Sequence, residues 1–380
     1  MATQATIAAS GRVGRGRDSE YARGKAPRRG AFRLSAASES AALPLTLLIP
    51  IFAAAAVAVW WAGTRLPLYA AAIGDRTGIG QAFAGMVLLG GVTSLPELST
   101  AVSAAAIGAS SLALNNILGS VAFNIVLLAL ADMVLGKRPL TSVIAKPATL
   151  IQGVLGMLLL ALVAAAVLWR DVPLAGVGLW SLLLFAGCLA AMRIAYRSER
   201  RPMWAVIDPQ APESLALEEE AAKEPERLYW GMAGLALVIL AAGTVLAATG
   251  DAIAARTGLG GGVVGLIFVA LATSLPELSS ISGAMKARRY ELAVGEVFGS
   301  NIFNLALIVV IDLVAPGRPV LGMAGRFEAV AALLGLVLTG IYVIGLIERR
   351  DRTFLRMGYD SVAVILLYFA VLFFLLQAPG

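Results

Sequence analysis

Residues 85–140 of this chain align with residues 265–320 without a gap, at a constant offset of 180, and 20 of the 56 paired positions are identical. Thr93-Ser94-Leu95-Pro96-Glu97-Leu98-Ser99 recurs as Thr273-Ser274-Leu275-Pro276-Glu277-Leu278-Ser279. Gly119-Ser120 recurs as Gly299-Ser300, Phe123-Asn124 as Phe303-Asn304, Asp132 as Asp312, and Arg138-Pro139 as Arg318-Pro319. Two unrelated apolar segments do not agree to this extent by chance. The chain must fold as two related halves, and whatever the repeated polar residues do, they do twice.

Solvation fixes what each half is made of. Of 380 residues 59% are hydrophobic and 14% charged, with a mean hydropathy of +0.84. A soluble domain carries roughly 25% charged residues, so this chain cannot cover its own surface with polar groups. Apolar runs of about 20 residues recur along it, the length that crosses a hydrocarbon core of about 30 Å. In lipid the backbone must satisfy itself, which leaves helices or closed barrels. Barrel strands alternate apolar and polar residues, whereas these runs are apolar all round.

The expected fold class is therefore an all-α polytopic membrane protein. Its ten spans fall near 44–72, 79–107, 111–135, 146–169, 173–197, 228–255, 260–285, 290–315, 323–347 and 357–377. Residues 1–41, rich in Arg, Ser, Gly and Ala with no apolar period, read as a disordered basic tail. The stretch 198–227 holds Arg200, Arg201, Pro202, the acidic run Glu218-Glu219-Glu220 and Pro225, and reads as a linker between a first five-span repeat (42–197) and a second (228–380). An odd number of spans per repeat forces the second copy to insert upside down. That is the inverted-repeat plan of secondary transporters, whose substrate sites lie near the midplane where the repeats meet.

The net charge of +6 and pI near 9.7 need no nucleic acid as partner, because the basic residues sit in the tail and between spans. Loops after odd-numbered spans carry Lys137, Arg138 and Lys146; Arg193, Arg197, Arg200 and Arg201; Lys286, Arg288 and Arg289; and Arg349, Arg350, Arg352 and Arg356. Loops after even-numbered spans hold few, such as Arg170, Arg318 and Arg326. By the positive-inside rule the odd loops and the 198–227 linker are cytoplasmic and both termini external. The basic tail conflicts with that assignment, and short loops outweigh long segments. Cys188 is the only cysteine and there is no histidine. That excludes a disulfide framework, histidine zinc sites, Ser-His hydrolases and HExxH proteases.

Glu97 and Glu277 each sit in the middle of an apolar span. An acid at mid-membrane costs at least ~2.5–3.5 kcal/mol on insertion scales, so a sequence that places two at equivalent positions needs a compensating cation or proton. No Lys or Arg lies near either within its span. Pro96 and Pro276 directly precede the acids. A proline inside a helix lacks the N–H that would bond the carbonyl four residues back, here Val92 and Ala272. The distortion also loosens the Thr93 and Thr273 carbonyls, and free carbonyl oxygens beside a carboxylate suit Ca²⁺ or Na⁺. Gly119-Ser120 and Gly299-Ser300 follow in the next span, with Gly119 and Gly299 expected as further helix breaks, close helix packing being the alternative. Asn124 and Asn304 come four residues after the serines, on the same helix face, so Ser and Asn oxygens confront the acids as ligands. Asp132 and Asp312, two turns on, read as loop caps or interfacial anchors. Glu296 stands opposite Asn116 in the repeat and has no role in this reading.

These paired segments resemble the two α-repeats of the cation/calcium exchanger superfamily, which includes sodium/calcium exchangers. The repeats cover about 110 residues, and the ten-span layout carries the resemblance over 44–377. It implies a core of spans two, three, seven and eight, with Ca²⁺ held by Glu97, Glu277 and the carbonyls of Thr93 and Thr273. It implies that Ser94, Ser274, Ser120, Ser300, Asn124 and Asn304 help form Na⁺ or H⁺ sites, and that spans one and six slide across the core to alternate access. Two departures stand out. The family's GSN is intact at Gly299-Ser300-Asn301 but reads Gly119-Ser120-Val121 in the first repeat. Some sodium/calcium exchangers carry Asp where this chain has Asn124 or Asn304. The two remaining core carboxylates balance one Ca²⁺, two Na⁺ or two H⁺, so electroneutral two-for-one exchange fits as well as three Na⁺ per Ca²⁺.

The resulting expectation is a Ca²⁺/Na⁺ antiporter in the cell membrane. Its functional unit is a monomer, its partners are lipid and small inorganic cations, and it has no prosthetic group. An H⁺/Ca²⁺ or other divalent-cation antiporter fits the same residues. A channel predicts a rotationally repeated pore lining instead, and an intramembrane enzyme has no catalytic apparatus here.

Overall fold

The computed structural model describes residues 43–135, 139–144, 146–169, 171–174, 176–200, 224–257, 270–315, 318–349, 353–354 and 356–377. The tail 1–41, residues 201–223 of the linker and residues 260–269 of the seventh expected span lie outside them. The first repeat runs through α1 (Leu45–Thr77), α2 (Gln81–Thr93), α3 (Leu95–Ala106), α4 (Ser110–Leu135), the short α5 (Leu140–Val143), α6 (Pro147–Trp169), a hairpin of β1 (Pro173–Leu174) and β2 (Val177–Gly178), and α7 (Leu179–Arg200). The second runs through α8 (Pro225–Thr257), helical residues 270–273, α9 (Leu275–Lys286), α10 (Tyr290–Val314), α11 (Val320–Met323), α12 (Arg326–Glu348), a hairpin of β3 (Thr353–Phe354) and β4 (Met357–Gly358), and α13 (Tyr359–Gln377).

The chain is an all-α polytopic membrane protein. Among the described residues α1, α4, α6, α7, α8, α10 and α12 are each long and apolar enough to cross a membrane, and α2 with α3 forms one more crossing, bent by 43°. The apolar helix α13 is shorter, and residues 270–286 are the described part of the seventh expected span. Pro225, expected in the linker, instead opens α8, where the missing N–H of a first-turn proline costs nothing.

Regularity at an offset of 180 reaches beyond the segment that matches in sequence. The pairs α1/α8, α4/α10, α5/α11, β1/β3 and α7/α13 each begin 180 residues apart. The side chains follow suit. Asp132, near the end of α4, accepts hydrogen bonds from the N–H of Leu140 in its own repeat and of Gly358 in the other, the latter at 2.6 Å. Asp312, near the end of α10, accepts from Val320 at 2.7 Å and from Gly178 at 2.9 Å. Each acid thus ties the short helix of its own half to the hairpin of its partner half. This reciprocal exchange is the signature of two-fold symmetry. In two inverted five-span repeats α4 and α10 are equivalent helices and run in opposite directions, so the two ties lie at opposite membrane faces. The repeats are inverted, as the odd span count requires.

The expected reading of Asp132 and Asp312 as loop caps matches this arrangement. The hairpins that receive them were not expected; two-residue strands carry no readable period.

The two 33-residue helices α1 and α8 pack along each other. At 1.5 Å per residue each is about 50 Å long, well beyond the hydrocarbon thickness, so they lie tilted. Each also crosses the broken helix of the opposite repeat. A Cβ on Gly63 of α1 would strike Ser279 Oγ at 1.8 Å, and one on Gly243 of α8 would strike Pro96 Cγ at 2.6 Å. The outer pair therefore rests directly on the two Thr-Ser-Leu-Pro-Glu segments. Behind them α4 and α10 form the buried centre, flanked by α6 and α12.

Candidate cation site

The chain breaks where proline was expected to break it. Ser94 (φ −81°, ψ 0°) separates α2 from α3, and Ser274 (φ −93°, ψ 13°) precedes α9 with nearly the same geometry. Pro96 and Pro276 then fall in the first turn of the new helix, a position that tolerates a missing donor. Glu97 and Glu277 follow in that first turn, so each carboxyl group sits at the positive end of a helix dipole while remaining inside the protein. A π turn over Gly85–Leu89 further loosens the ladder of α2.

Gly119 and Gly299, expected as breaks, are a correction. Both lie inside continuous helices, α4 and α10. A glycine keeps its backbone donor and so removes no rung from the ladder. Gly299 acts through size instead: a Cβ there would lie 2.4 Å from Met86 Cα, so α10 touches the backbone of α2.

Four segments converge around the two acids. Thr93 Oγ1 and Ser300 Oγ share a hydrogen bond of 3.1 Å, joining the end of α2 to the middle of α10. Ser300 Oγ also lies 3.5 Å from the Gly90 carbonyl oxygen. Asn124 Nδ2 donates to Asn301 Oδ1 at 3.1 Å, joining α4 to α10, and Asn301 Nδ2 donates to the Val121 carbonyl at 3.1 Å. Asn301 and Val121 are equivalent positions, so they meet across the pseudo-two-fold. The single Asn301 amide bonds both Asn124 and the Val121 carbonyl, so one Asn at this pair of positions already joins the two helices.

Glu97 is 2% exposed and Glu277 0%. The two carboxyl groups interact electrostatically across the repeat interface. Their four oxygens have no hydrogen-bond partner, and neither do Ser94 Oγ, Asn124 Oδ1 or either polar atom of the Asn304 amide. Ser274, Ser120 and Asn304 are likewise buried. Thr273 is half-buried, and its hydroxyl donates to the Ala270 carbonyl at 3.1 Å. A buried polar atom left unpaired costs about 1–3 kcal/mol. Such atoms, all but one being oxygen and two pairs being carboxylate, are of the kind that hard cations take as ligands. Among the described residues no three of His, Cys, Asp and Glu gather at one point, so a cation here would have two carboxylates and otherwise neutral oxygens available.

Two participants escaped the sequence reading. Asn301 was quoted only as part of a motif, yet it bridges the repeats. Glu296 is fully buried and accepts a hydrogen bond from Ser280 Oγ at 2.9 Å. The one available signal was that Glu296 replaces an amide in the repeat, which marks a difference without saying what it does.

Comparison with known proteins bears on the family and the fold. The model of a family described as sodium/calcium exchanger protein matches residues 47–193 and 227–377. CaxA of Alkalimonas amylolytica, named a candidate antiporter, is 30% identical over 302 residues, 77% of this chain and 89% of CaxA. The inner membrane protein YrbG of Escherichia coli (strain K12) is 30% identical over 259 residues, 66% of this chain and 75% of YrbG. Structures of the sodium-calcium exchanger NCX_Mj share the fold. One, soaked with 2.5 mM Na⁺ and 10 mM Sr²⁺, superposes with a TM-score of 0.63 at 18% identity, covering 87% of this chain and 99% of that one. Another, soaked with 100 mM Na⁺ and 10 mM Sr²⁺, gives 0.63 at 17% identity, covering 89% and 100%.

Proposed function

Because this chain belongs to the sodium/calcium exchanger family, we propose that it exchanges Ca²⁺ for Na⁺ across the cell membrane, holding Ca²⁺ between Glu97 and Glu277. The observation that carries the reading is the pair of buried carboxyl groups, one from each inverted repeat, with four unpaired oxygens. Two negative charges match one Ca²⁺, and the carbonyls freed by Pro96 and Pro276 supply neutral oxygens. Ser94, Ser274, Ser120, Ser300, Asn124 and Asn304 surround the pair and serve the counter-ion.

Obligatory exchange follows from electrostatics. An empty site leaves two carboxylates facing each other in a medium without water, a state several kcal/mol too costly to cross readily. Loaded with Ca²⁺, or with monovalent cations, the site is neutralised and the molecule is free to reopen on the opposite side. The outer pair α1/α8 is suited to that movement, because it rests on both acid-bearing turns through Gly63 and Gly243. Loop charge places the linker and the loops after odd spans in the cytoplasm, and one chain supplies both halves, so the monomer is the working unit.

Reconstitution into liposomes tests the reading. A Na⁺ gradient is expected to drive Ca²⁺ against its own gradient. Drive by H⁺ alone makes the protein an H⁺/Ca²⁺ antiporter, and Ca²⁺ leakage without any counter-ion makes it a channel and overturns exchange.

A further inference from the structure

Glu296 has no place in the donor set just described, yet it is 0% exposed and its Oε1 has no hydrogen-bond partner. Its Oε2 accepts from Ser280 Oγ at 2.9 Å. Ser280 stands one turn beyond Glu277 on α9, while Glu296 stands one turn before Ser300 on α10, so Glu296, Ser300 and Asn304 share a helix face. Glu277 interacts electrostatically with both Glu97 and Glu296, yet the three acids do not gather as one cluster. Glu296 is thus a neighbour of the central pair, not a third ligand to the same ion. It lies about 9 Å from the start of α10, between Glu277 and the face that carries Lys286, Arg288 and Arg289.

Among the described residues the ion pairs near Glu296 engage other acids. Glu277 is the titratable group that faces it from α9. On its own helix Glu291 pairs with Lys146 at 2.7 Å, and Glu199 of α7 lies 3.8 Å from the same lysine. Arg289 pairs with Asp75 of α1 at 2.9 Å. Among the described residues no Lys or Arg forms an ion pair with Glu296. The equivalent position in the first repeat is the neutral Asn116, and the equivalent of Ser280 is Thr100, whose hydroxyl donates to the Pro96 carbonyl at 2.9 Å. The second repeat thus has an acid where the first has an amide, and its equivalent hydroxyl bonds that acid instead of a backbone carbonyl.

We propose that Glu296, oriented by Ser280, is a separate seat for one monovalent cation, H⁺ or Na⁺, on the path between Glu277 and the basic face. The proposal rests on the exchange reading above. With Ca²⁺ on the Glu97/Glu277 pair the cation leaves Glu296, whose single carboxylate keeps the Ser280 hydrogen bond and is held by the nearby dication; departure of Ca²⁺ draws a monovalent cation back. The seat is loaded and emptied once per cycle, so it adds one charge to the two carried by the central pair.

Null-point measurements in proteoliposomes decide the matter. At opposing Ca²⁺ and monovalent-ion gradients of known size and a clamped potential, the wild type is expected to balance at three monovalent charges per Ca²⁺, and Glu296→Gln at two. Imposing Na⁺ and H⁺ gradients separately identifies which ion fills the seat. Two charges in the wild type, or three in active Glu296→Gln, would overturn the proposal while leaving exchange itself intact. A wild type that moves no Ca²⁺ would refute the exchange reading instead. If Glu296→Gln is silent, Ser280→Ala decides: it keeps the acid and removes its hydrogen bond. A several-fold change in the apparent affinity for H⁺ or Na⁺ supports the seat; unchanged affinity for both overturns it.

Discussion

The first repeat carries Asn116 and Val121 where the second carries Glu296 and Asn301, while both keep Thr-Ser-Leu-Pro-Glu-Leu-Ser, Gly-Ser, Asn124/Asn304 and Asp132/Asp312. Among the buried polar groups the halves share two sets: those around the two acids, and the paired aspartates that tie each half to the other's hairpin. Two of their differences also fall among buried polar groups. Positions 121 and 301 meet at the axis, where one amide suffices. Positions 116 and 296 lie away from it, and there the second repeat has an acid that the first lacks. An inverted pair places the same residues toward both faces of the membrane; the departures are where the two faces can differ.

A set of substitutions can break or sharpen that comparison. The largest effect belongs to the shared acids. Glu97→Gln and Glu277→Gln are each expected to reduce Ca²⁺ exchange to the liposome background, and substantial flux in either variant would break the equivalence of the repeats. Next come the aspartate ties. Asp132→Ala or Asp312→Ala leaves two buried N–H groups without their charged acceptor, and at roughly 1.5–3 kcal/mol per such bond each is expected to destabilise by about 3 kcal/mol or more. Thermal unfolding in detergent checks this, and a loss confined to one of the two would show that the halves bear unequal loads. Asn301→Val is smaller, about 1–3 kcal/mol, because it strands the Val121 carbonyl and the Asn124 amide. Restoring the motif by Val121→Asn is expected to gain nothing in the same unfolding measurement, since one amide already joins the two helices. Smallest is Arg289→Ala. Its partner Asp75 is nearly half exposed, so the pair is worth under about 1 kcal/mol, detectable as a shift of a degree or two in the unfolding midpoint.

Span count, inversion and the two acids were legible because each depends on coarse properties: length of apolar runs, an odd number of them, and charge where lipid forbids it. Breaks at Pro96 and Pro276 were legible, since a missing donor is visible in the sequence; that they fall two residues earlier, at Ser94 and Ser274, was not. The mistaken break at Gly119 and Gly299 has the opposite cause. Glycine is compatible with a break and with close packing alike, and only the position of Met86 shows that Gly299 serves the second. Asn301 and Glu296 were opaque for a common reason. Their partners, Val121 and Ser280, are set by which surfaces meet in space, and comparison of the repeats ranks such mismatches as divergence.

Ca²⁺ binding to the purified protein tests most directly whether the two acids share a single ion. The account predicts one Ca²⁺ per chain in titration calorimetry, lost in Glu97→Gln and equally in Glu277→Gln. Two bound ions per chain, or one variant that still binds Ca²⁺ as the wild type does, would contradict it.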